Sequence, residues 1–113
     1  MNRAAIEAII AQYEKHGWAL RRVLLSPSLR NALDPDVNKL FGTAELFSSD
    51  LDAIWFSRTS QTGKETWELR SLGSTPYALD IFLDKESRSD DNEELLRNTE
   101  NRMRVAAPHR RDN

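Results

Sequence analysis

Glu68 and Asp80 are the residues in this sequence whose side chains could most readily do chemistry together. Each lies in a segment with strand-like alternation of polar and apolar residues. Two carboxylates held close together push their pKa values apart, which is what a general acid and a general base require. The pair therefore suggests a small hydrolase. No catalytic motif supports that reading, because the sequence lacks cysteine, HExxH, GxSxG and a glycine-rich phosphate loop.

The histidines do not indicate a metal or cofactor site. His16 lies at the C-terminal end of the first predicted helix, where the helix dipole and the free carbonyl groups favour an imidazolium. His109 lies in the C-terminal tail. We therefore expect no catalytic residue, no metal and no cofactor, and we favour a protein that is not an enzyme.

Residues 17–33 suggest nucleic-acid binding as an alternative. This basic segment, GWALRRVLLSPSLRNAL, contains Arg21, Arg22 and Arg30 without an acidic residue, and Trp18 could stack on a base. The net charge of the chain is −2, which does not favour binding to phosphates. Alternation along a strand also predicts that Arg21 and Arg22 point to opposite faces. Nucleic acid is thus the weaker alternative.

Composition indicates one folded domain. Of the 113 residues, 39% are hydrophobic and 30% are charged, which favours a folded domain over a disordered chain. We expect this domain to span residues 1–105 and a disordered tail to span residues 106–113. Polar residues interrupt the first apolar ones, so we predict neither a signal sequence nor a membrane span, and we expect a cytoplasmic protein.

Helices are predicted near both ends of the chain. Residues 3–16 place apolar side chains at helical spacing and are followed by Gly17, a typical helix terminator. A second helix is predicted over about residues 91–105. The residues that this second helix is expected to offer to the core are Leu95, Leu96, Thr99 and Met103.

The segments between the two helices are mostly strand-like. Residues 18–26 are predicted to form a strand, and we expect an exposed sheet edge at residues 18–25. One or two short helical turns are expected in residues 27–41, ending at Gly42. Residues 43–50 have no clear pattern. Residues 77–84 alternate as a strand does, with a helix as the alternative.

A hairpin is predicted over residues 54–69, IWFSRTSQTGKETWEL. A five-residue loop places Trp55 opposite Trp67, but it also opposes two like charges, Arg58 and Lys64. A four-residue loop, SQTG, pairs Arg58 with an acid instead and gives one apolar face, formed by Ile54, Phe56, Trp67 and Leu69. We favour the four-residue loop, which makes Trp55 more exposed than Trp67.

These elements predict an α+β fold: a two-layer domain with an antiparallel sheet of about four strands packed against the N- and C-terminal helices. Helices on one face leave the other sheet face open. Tryptophan and arginine are enriched at binding hot spots, so we expect the open face to bind another molecule. The candidate binding residues on it are Trp55, Lys64, Glu68, Arg70, Asp80 and Phe82.

The function expected from the sequence is that of a small protein-binding or regulatory module without catalytic activity. Its partner would be another protein or a second copy of the chain, which would make it a homodimer. Nucleic-acid binding through residues 17–33 and hydrolysis by a Glu–Asp pair remain the alternatives.

Overall fold

A computed structural model describes residues 2–59, 64–73, 76–84 and 89–106 of the protein. The tail predicted to be disordered lies outside these residues from position 107 onward. The elements in chain order are α1 (Arg3–Lys15), β1 (Ala19–Leu25), α2 (Pro27–Leu33), α3 (Val37–Phe41), β2 (Glu45–Ser48), β3 (Ala53–Thr59), β4 (Lys64–Ser71), β5 (Ala78–Asp84) and α4 (Ser89–Ala106).

The ends of the first helices follow from their local sequence. The Asn2 side chain accepts a hydrogen bond from the Ala5 N–H and caps α1, and Gly17 after the helix has a φ of 89°. Ser26 caps α2 in the same way through the Leu29 N–H. The predicted helices over residues 3–16 and 27–41 are thus confirmed, as is termination at Gly42.

The sheet has five strands in the order β2-β1-β3-β4-β5. The predicted α+β class is confirmed, although the sheet has one strand more than expected, and it is mixed because β2 runs parallel to β1. This extra strand comes from residues 43–50, which had no clear pattern. Residues 78–84 form a strand and not the alternative helix. The expectation of a sheet edge at residues 18–25 is wrong, because β1 lies between β2 and β3.

Helices cover both faces of the sheet, and each face has its own core. Helices α1, α2 and α3 pack on one face, against a cluster that includes Val23 and Phe56. Helix α4 packs on the other face, against a cluster that includes Trp55 and Leu69. The two terminal helices therefore lie on opposite faces and not on one face as expected. Burial of apolar surface on both sides is the main contribution to stability here.

The hairpin between β3 and β4 has a different register from the one we favoured. Trp55 lies opposite Leu69, and Ser57 lies opposite Trp67, which is one residue away from the pairing of a four-residue loop. The side chains of Trp55 and Trp67 consequently share a face. The expectation that Trp55 is the more exposed of the two is wrong: Trp55 is 0% exposed and Trp67 is 5% exposed.

Helix α4 largely matches its prediction. Leu96, Thr99 and Met103 are buried as expected, whereas Leu95 is 43% exposed. The helix is 18 residues long and highly polar apart from this buried stripe. Within the described part of the chain, no helix combines the length and the apolar character needed to cross a bilayer.

Candidate functional site

The α1 layer leaves one end of its sheet face uncovered, at strands β4 and β5. The cluster under α1 draws its sheet residues from β1, β2 and β3, together with Leu72 just after β4. At its border the Tyr13 ring stacks on Phe56, with 4.0 Å between ring centroids and an interplanar angle of 7°. Beyond that border lies a set of side chains that we name the β4–β5 patch: Lys64, Thr66, Glu68, Arg70, Ala78, Asp80, Phe82 and Asp84.

Five of the six predicted binding residues lie in this patch, and the strand register explains why. Glu68 lies directly opposite Asp80, and Thr66 lies opposite Phe82. Arg70 lies opposite Ala78 at one end. Residues two apart on a strand share a face, so Lys64 joins the same surface from the other end of β4. The prediction that these side chains share one face rested on alternation within each strand and on antiparallel pairing of the two strands, and that pairing is observed.

Trp55 is the exception and does not belong to the patch. Its side chain points to the α4 face, where its ring lies 6.0 Å from the Trp67 ring in an edge-to-face arrangement. The indole Nε1 donates a hydrogen bond of 2.8 Å to Glu100 Oε2 of α4. Such a partner is what a buried indole N–H needs. Trp55 is therefore a core residue, and a role in binding at the sheet surface is excluded by its position.

Glu68 is the most electrostatically perturbed residue of the patch. Burial and a hydrogen bond with Asp80 raise the pKa of Glu68 to about 7, even though the Tyr13 hydroxyl donates a hydrogen bond to the same carboxyl group. Asp80 also disfavours ionisation of Glu68 through the repulsion of like charges, and Arg70 opposes this effect. The Glu68 carboxyl group is thus still partly protonated near neutral pH, where an ordinary glutamate is ionised.

Tyr13 is the member of the site that sequence analysis missed. Helix α1 positions it, 55 residues before Glu68, and its hydroxyl reaches over the edge of the α1 layer to the carboxyl group. Burial and the neighbouring Glu68 raise the pKa of Tyr13, so it remains a neutral donor. In the sequence, Tyr13 appeared only as one of several apolar positions on a helix face. Its contact depends on the sheet register, for which no local signal exists.

Phe82 is the most exposed large apolar side chain of the patch, at 70%. It lies on β5, with Asp80 and Asp84 two residues away on either side along the same face. The patch therefore combines an exposed aromatic ring with side chains of both charges. This composition can bind a molecule that offers apolar surface together with charged groups.

The basic segment 17–33 does not form one surface. The β1 register shifts between Leu20 and Arg22, so Arg21 and Arg22 both point to the α4 face, contrary to the expected alternation. Arg21 lies over the Trp67 ring, with its guanidinium carbon 4.7 Å from the ring centroid. Arg22 pairs with Glu93 of α4. Trp18 is covered by Arg58 at 4.8 Å. Each of these side chains therefore contacts another part of the chain, and the three do not form one basic surface.

A cleft of about 200 Å³ lies between β1, β2 and α4. Its lining includes Phe47, which is 38% exposed, and the arginines Arg22, Arg97 and Arg104. Arg22 pairs with Glu93, and Arg104 Nε donates a 2.8 Å hydrogen bond to Asp50 Oδ1. The cationic side chains are thus largely balanced by acids of the chain. This cleft had no sequence signal because β2 was not predicted.

A second cleft, of about 580 Å³, lies between α1, α3 and β1. Most of its lining residues are apolar, among them Trp18, Leu20 and Leu40. Glu14 and Lys39 are its charged members. The cleft offers contact surface but brings together no pair of groups with the chemistry of the β4–β5 patch.

The described residues contain no group of three or more histidine, cysteine, aspartate or glutamate side chains that could hold a metal ion. His16 is exposed, and its Nε2 lies 3.1 Å from Gln12 Nε2 on the same helix. The site of most interest is therefore the β4–β5 patch. Comparison of the chain with protein-family models, with curated proteins and with solved structures gave no match.

Proposed function

We propose that this protein is a non-catalytic binding or regulatory module that contacts another protein through the β4–β5 patch. The observation that carries the proposal is Phe82, which is 70% exposed on the edge strand β5, between the acidic residues Asp80 and Asp84. Aromatic side chains and arginine are enriched in protein interfaces relative to the rest of the surface. Arg70 lies on the same face of the neighbouring strand, farther along the patch from Phe82.

The charges around Phe82 define the kind of partner. Glu68 and Asp80 form an acidic centre, and Lys64 and Arg70 lie at opposite ends of the same face of β4. A matching surface would place an apolar side chain over Phe82 and a basic side chain near the carboxyl pair. Mixed polar and apolar composition of this kind is typical of a transient interface and not of an obligate one.

Affinity capture from the source cell tests the proposal, with wild type and two variants compared side by side. The first variant is Phe82→Ser, which removes the aromatic ring of the patch. The second is Phe47→Ser, which removes the exposed aromatic side chain beside the cleft at α4. We expect proteins that bind to wild type and to Phe47→Ser but not to Phe82→Ser. Equal capture by all three chains would overturn the proposal.

The Glu68–Asp80 pair also supports a second candidate function, acid–base hydrolysis. The observation in its favour is that the strands place the two carboxyl groups directly opposite each other and the pKa of Glu68 rises to about 7, where a group can donate a proton at neutral pH. A panel of generic ester, phosphate and glycoside substrates tests it. Turnover that both Glu68→Gln and Asp80→Asn abolish would support hydrolysis and contradict a purely binding role.

A further inference from the structure

Strand β5 ends the sheet on one side, and alternate residues of its backbone point away from β4. The Ser71 N–H donates a 2.8 Å hydrogen bond to the Tyr77 carbonyl, which fixes the phase of the antiparallel ladder between β4 and β5. Because the direction of the backbone groups alternates along such a ladder, every second residue of β5 directs its N–H and C=O groups outward. These outward residues include Ala78, Asp80 and Phe82. Among the described strands, β4 alone pairs with β5.

We infer that the partner adds an extended segment to the outer edge of β5 as a sixth strand of the sheet, with a basic residue opposite Asp80 and apolar residues on either side of it. This inference rests on the proposed function, because it specifies which part of a partner binds at the β4–β5 patch. A strand edge with outward backbone groups is a template for another strand: main-chain hydrogen bonds give affinity, and alternate side chains give specificity. We expect antiparallel pairing, which is the more stable arrangement per residue.

Asp80 determines the charge of the added strand. It lies directly opposite Glu68 in a non-hydrogen-bonded pair, where side chains approach most closely. The two carboxyl groups are hydrogen-bonded to each other, and the charge of Arg70 offsets their repulsion only in part. The residue of an added strand opposite Asp80 would have its side chain on the same face, with its backbone about 4.8 Å away. A lysine or arginine there would pair with Asp80, whereas an acidic residue would be repelled.

The same charges disfavour a second copy of this chain at the edge. A second β5 strand would bring its own Asp80 to an edge where Asp80 and Glu68 already lie side by side. Like charges close together across a strand pair are unfavourable. Charged residues on an edge strand therefore hinder pairing between copies, but they favour a strand that supplies the opposite charge.

The α4 side of this edge determines the residues next to the basic one. Leu79 and Ile81 flank Asp80, are half-buried and pack against the core cluster under α4. In antiparallel pairing, the residues opposite Leu79 and Ile81 would form non-hydrogen-bonded pairs with them. Apolar residues at these positions would cover the exposed part of both side chains and extend the core under α4. The added strand therefore carries a basic residue between two apolar ones.

Phe82 offers the added strand a further contact on the patch face. It lies two residues from Asp80 on the same face, and it is 70% exposed. Charges and proline protect an edge strand from other chains, and an exposed aromatic ring gives no such protection. A side chain opposite Phe82 would cover this ring. An arginine opposite Asp80 would lie diagonal to the ring, within reach of a long side chain.

Fluorescence anisotropy with labelled peptides tests the inference on the purified full chain. The parent peptide is Val-Thr-Val-Arg-Val-Thr-Val, in which the arginine and the threonines form one face and the valines form the other. One control peptide has glutamate in place of arginine. A second has N-methyl groups on the arginine and both threonines, whose N–H groups would face β5. We expect the parent to bind, the glutamate peptide to bind about tenfold more weakly, and the N-methylated peptide not to bind.

Substitutions in the protein test whether the peptide binds at the edge of β5. Phe82→Pro removes an N–H that points away from β4, so it should abolish binding of the parent peptide and leave the internal sheet intact, as proline is tolerated on an edge strand. Phe82→Ala keeps that N–H and should weaken binding without abolishing it. Asp80→Asn should narrow the difference between the arginine and glutamate peptides, whereas Asp91→Asn, at an exposed position of α4, should leave it unchanged. Circular dichroism and urea unfolding verify that each variant is folded.

Equal binding of the parent and N-methylated peptides would overturn the inference, and this comparison on wild type remains decisive if Phe82→Pro does not fold. No binding of the parent, or equal binding of the arginine and glutamate peptides, would also overturn it. So would a wild-type dimer in sedimentation velocity that Phe82→Pro abolishes, because a second copy would then occupy the edge. In each of these cases, capture of a partner that Phe82→Ser abolishes would still support the proposed function. Equal capture by wild type and both serine variants would instead overturn the proposed function itself.

Discussion

Glu68→Gln tests the electrostatics of the β4–β5 patch through the pH dependence of stability. Burial and the hydrogen bond with Asp80 raise the pKa of Glu68 from 4.5 to about 7. Between these two pH values the folded protein binds a proton that the unfolded chain releases. The contribution of Glu68 to the free energy of unfolding therefore declines as pH rises from 4.5 to about 7, and this decline is complete above that pH.

The size of the effect follows from the difference between the two pKa values. A carboxyl group fully shielded from water would lose about 3 kcal/mol of stabilisation over this range. Glu68 is only half-buried, so solvent screening reduces the expected change to about 1 to 2 kcal/mol. Glutamine has the shape of the protonated acid, accepts the hydrogen bond from Tyr13 and can donate to Asp80. Glutamine does not ionise, so a rise in pH creates no charge at position 68.

Urea unfolding followed by tryptophan fluorescence at several values between pH 5 and pH 8.5 measures the difference. Near pH 5 the Glu68→Gln variant should be about as stable as wild type, and near pH 8 it should be more stable by about 1 to 2 kcal/mol. Titrating groups that do not contact position 68 cancel because both chains contain them. Glu94→Gln, at an exposed position of α4, is the matched control and should follow wild type at every pH. Parallel profiles for wild type and Glu68→Gln would refute the raised pKa of Glu68.

Three further substitutions, with Phe47→Ala as a control, test the packing of the core, the backbone at Gly42 and the hydrogen bond from Tyr13 at the β4–β5 patch. Trp55→Ala should lower the free energy of unfolding by about 3 to 5 kcal/mol, and Phe47→Ala by much less, both measured by urea unfolding. Gly42→Ala should cost about 1 to 3 kcal/mol in the same assay, because its φ of 59° and ψ of −127° suit glycine, although no atom lies within 4 Å of an added Cβ. Tyr13→Phe should raise the pKa of Glu68 further, as followed by carboxyl-carbon NMR, because the hydroxyl donates to that carboxyl group.

Helix boundaries were predictable from the sequence because they depend on nearby residues. The capping side chain at Ser26 and the glycine at position 42 act within one helical turn. The strand at residues 78–84 was predictable for a similar reason, since alternation is a local property. Strand β2 was missed because it has four residues and shows no alternation of burial that a pattern could reveal.

The predicted register of the hairpin was wrong for a physical reason. Choosing the register by separation of polar from apolar faces assumes that one face of every strand meets water. In β3, five consecutive residues from Ala53 to Ser57 are buried, because helices lie on both sides of this strand. The side chains on both faces of β3 therefore belong to the core. The polar residues of β4 consequently do not show which residue of β3 lies opposite each of them. The loop residues 60–63, on which the argument also depended, lie outside the described part of the structure.

The location of the candidate site follows from the change in burial pattern across the sheet. In β3 the residues from Ala53 to Ser57 are all buried, whereas in β4 the more and the less buried residues alternate. In β5, Ala78, Asp80, Phe82 and Asp84 are exposed. This progression indicates that the α1 layer ends near Tyr13, while α4 continues to cover the opposite face as far as β5. A half-covered strand must place polar residues on its uncovered side, and an aromatic ring there gains by contact with another molecule. Phe82 is the large apolar residue on the uncovered side of β5, and the proposed binding is best tested there.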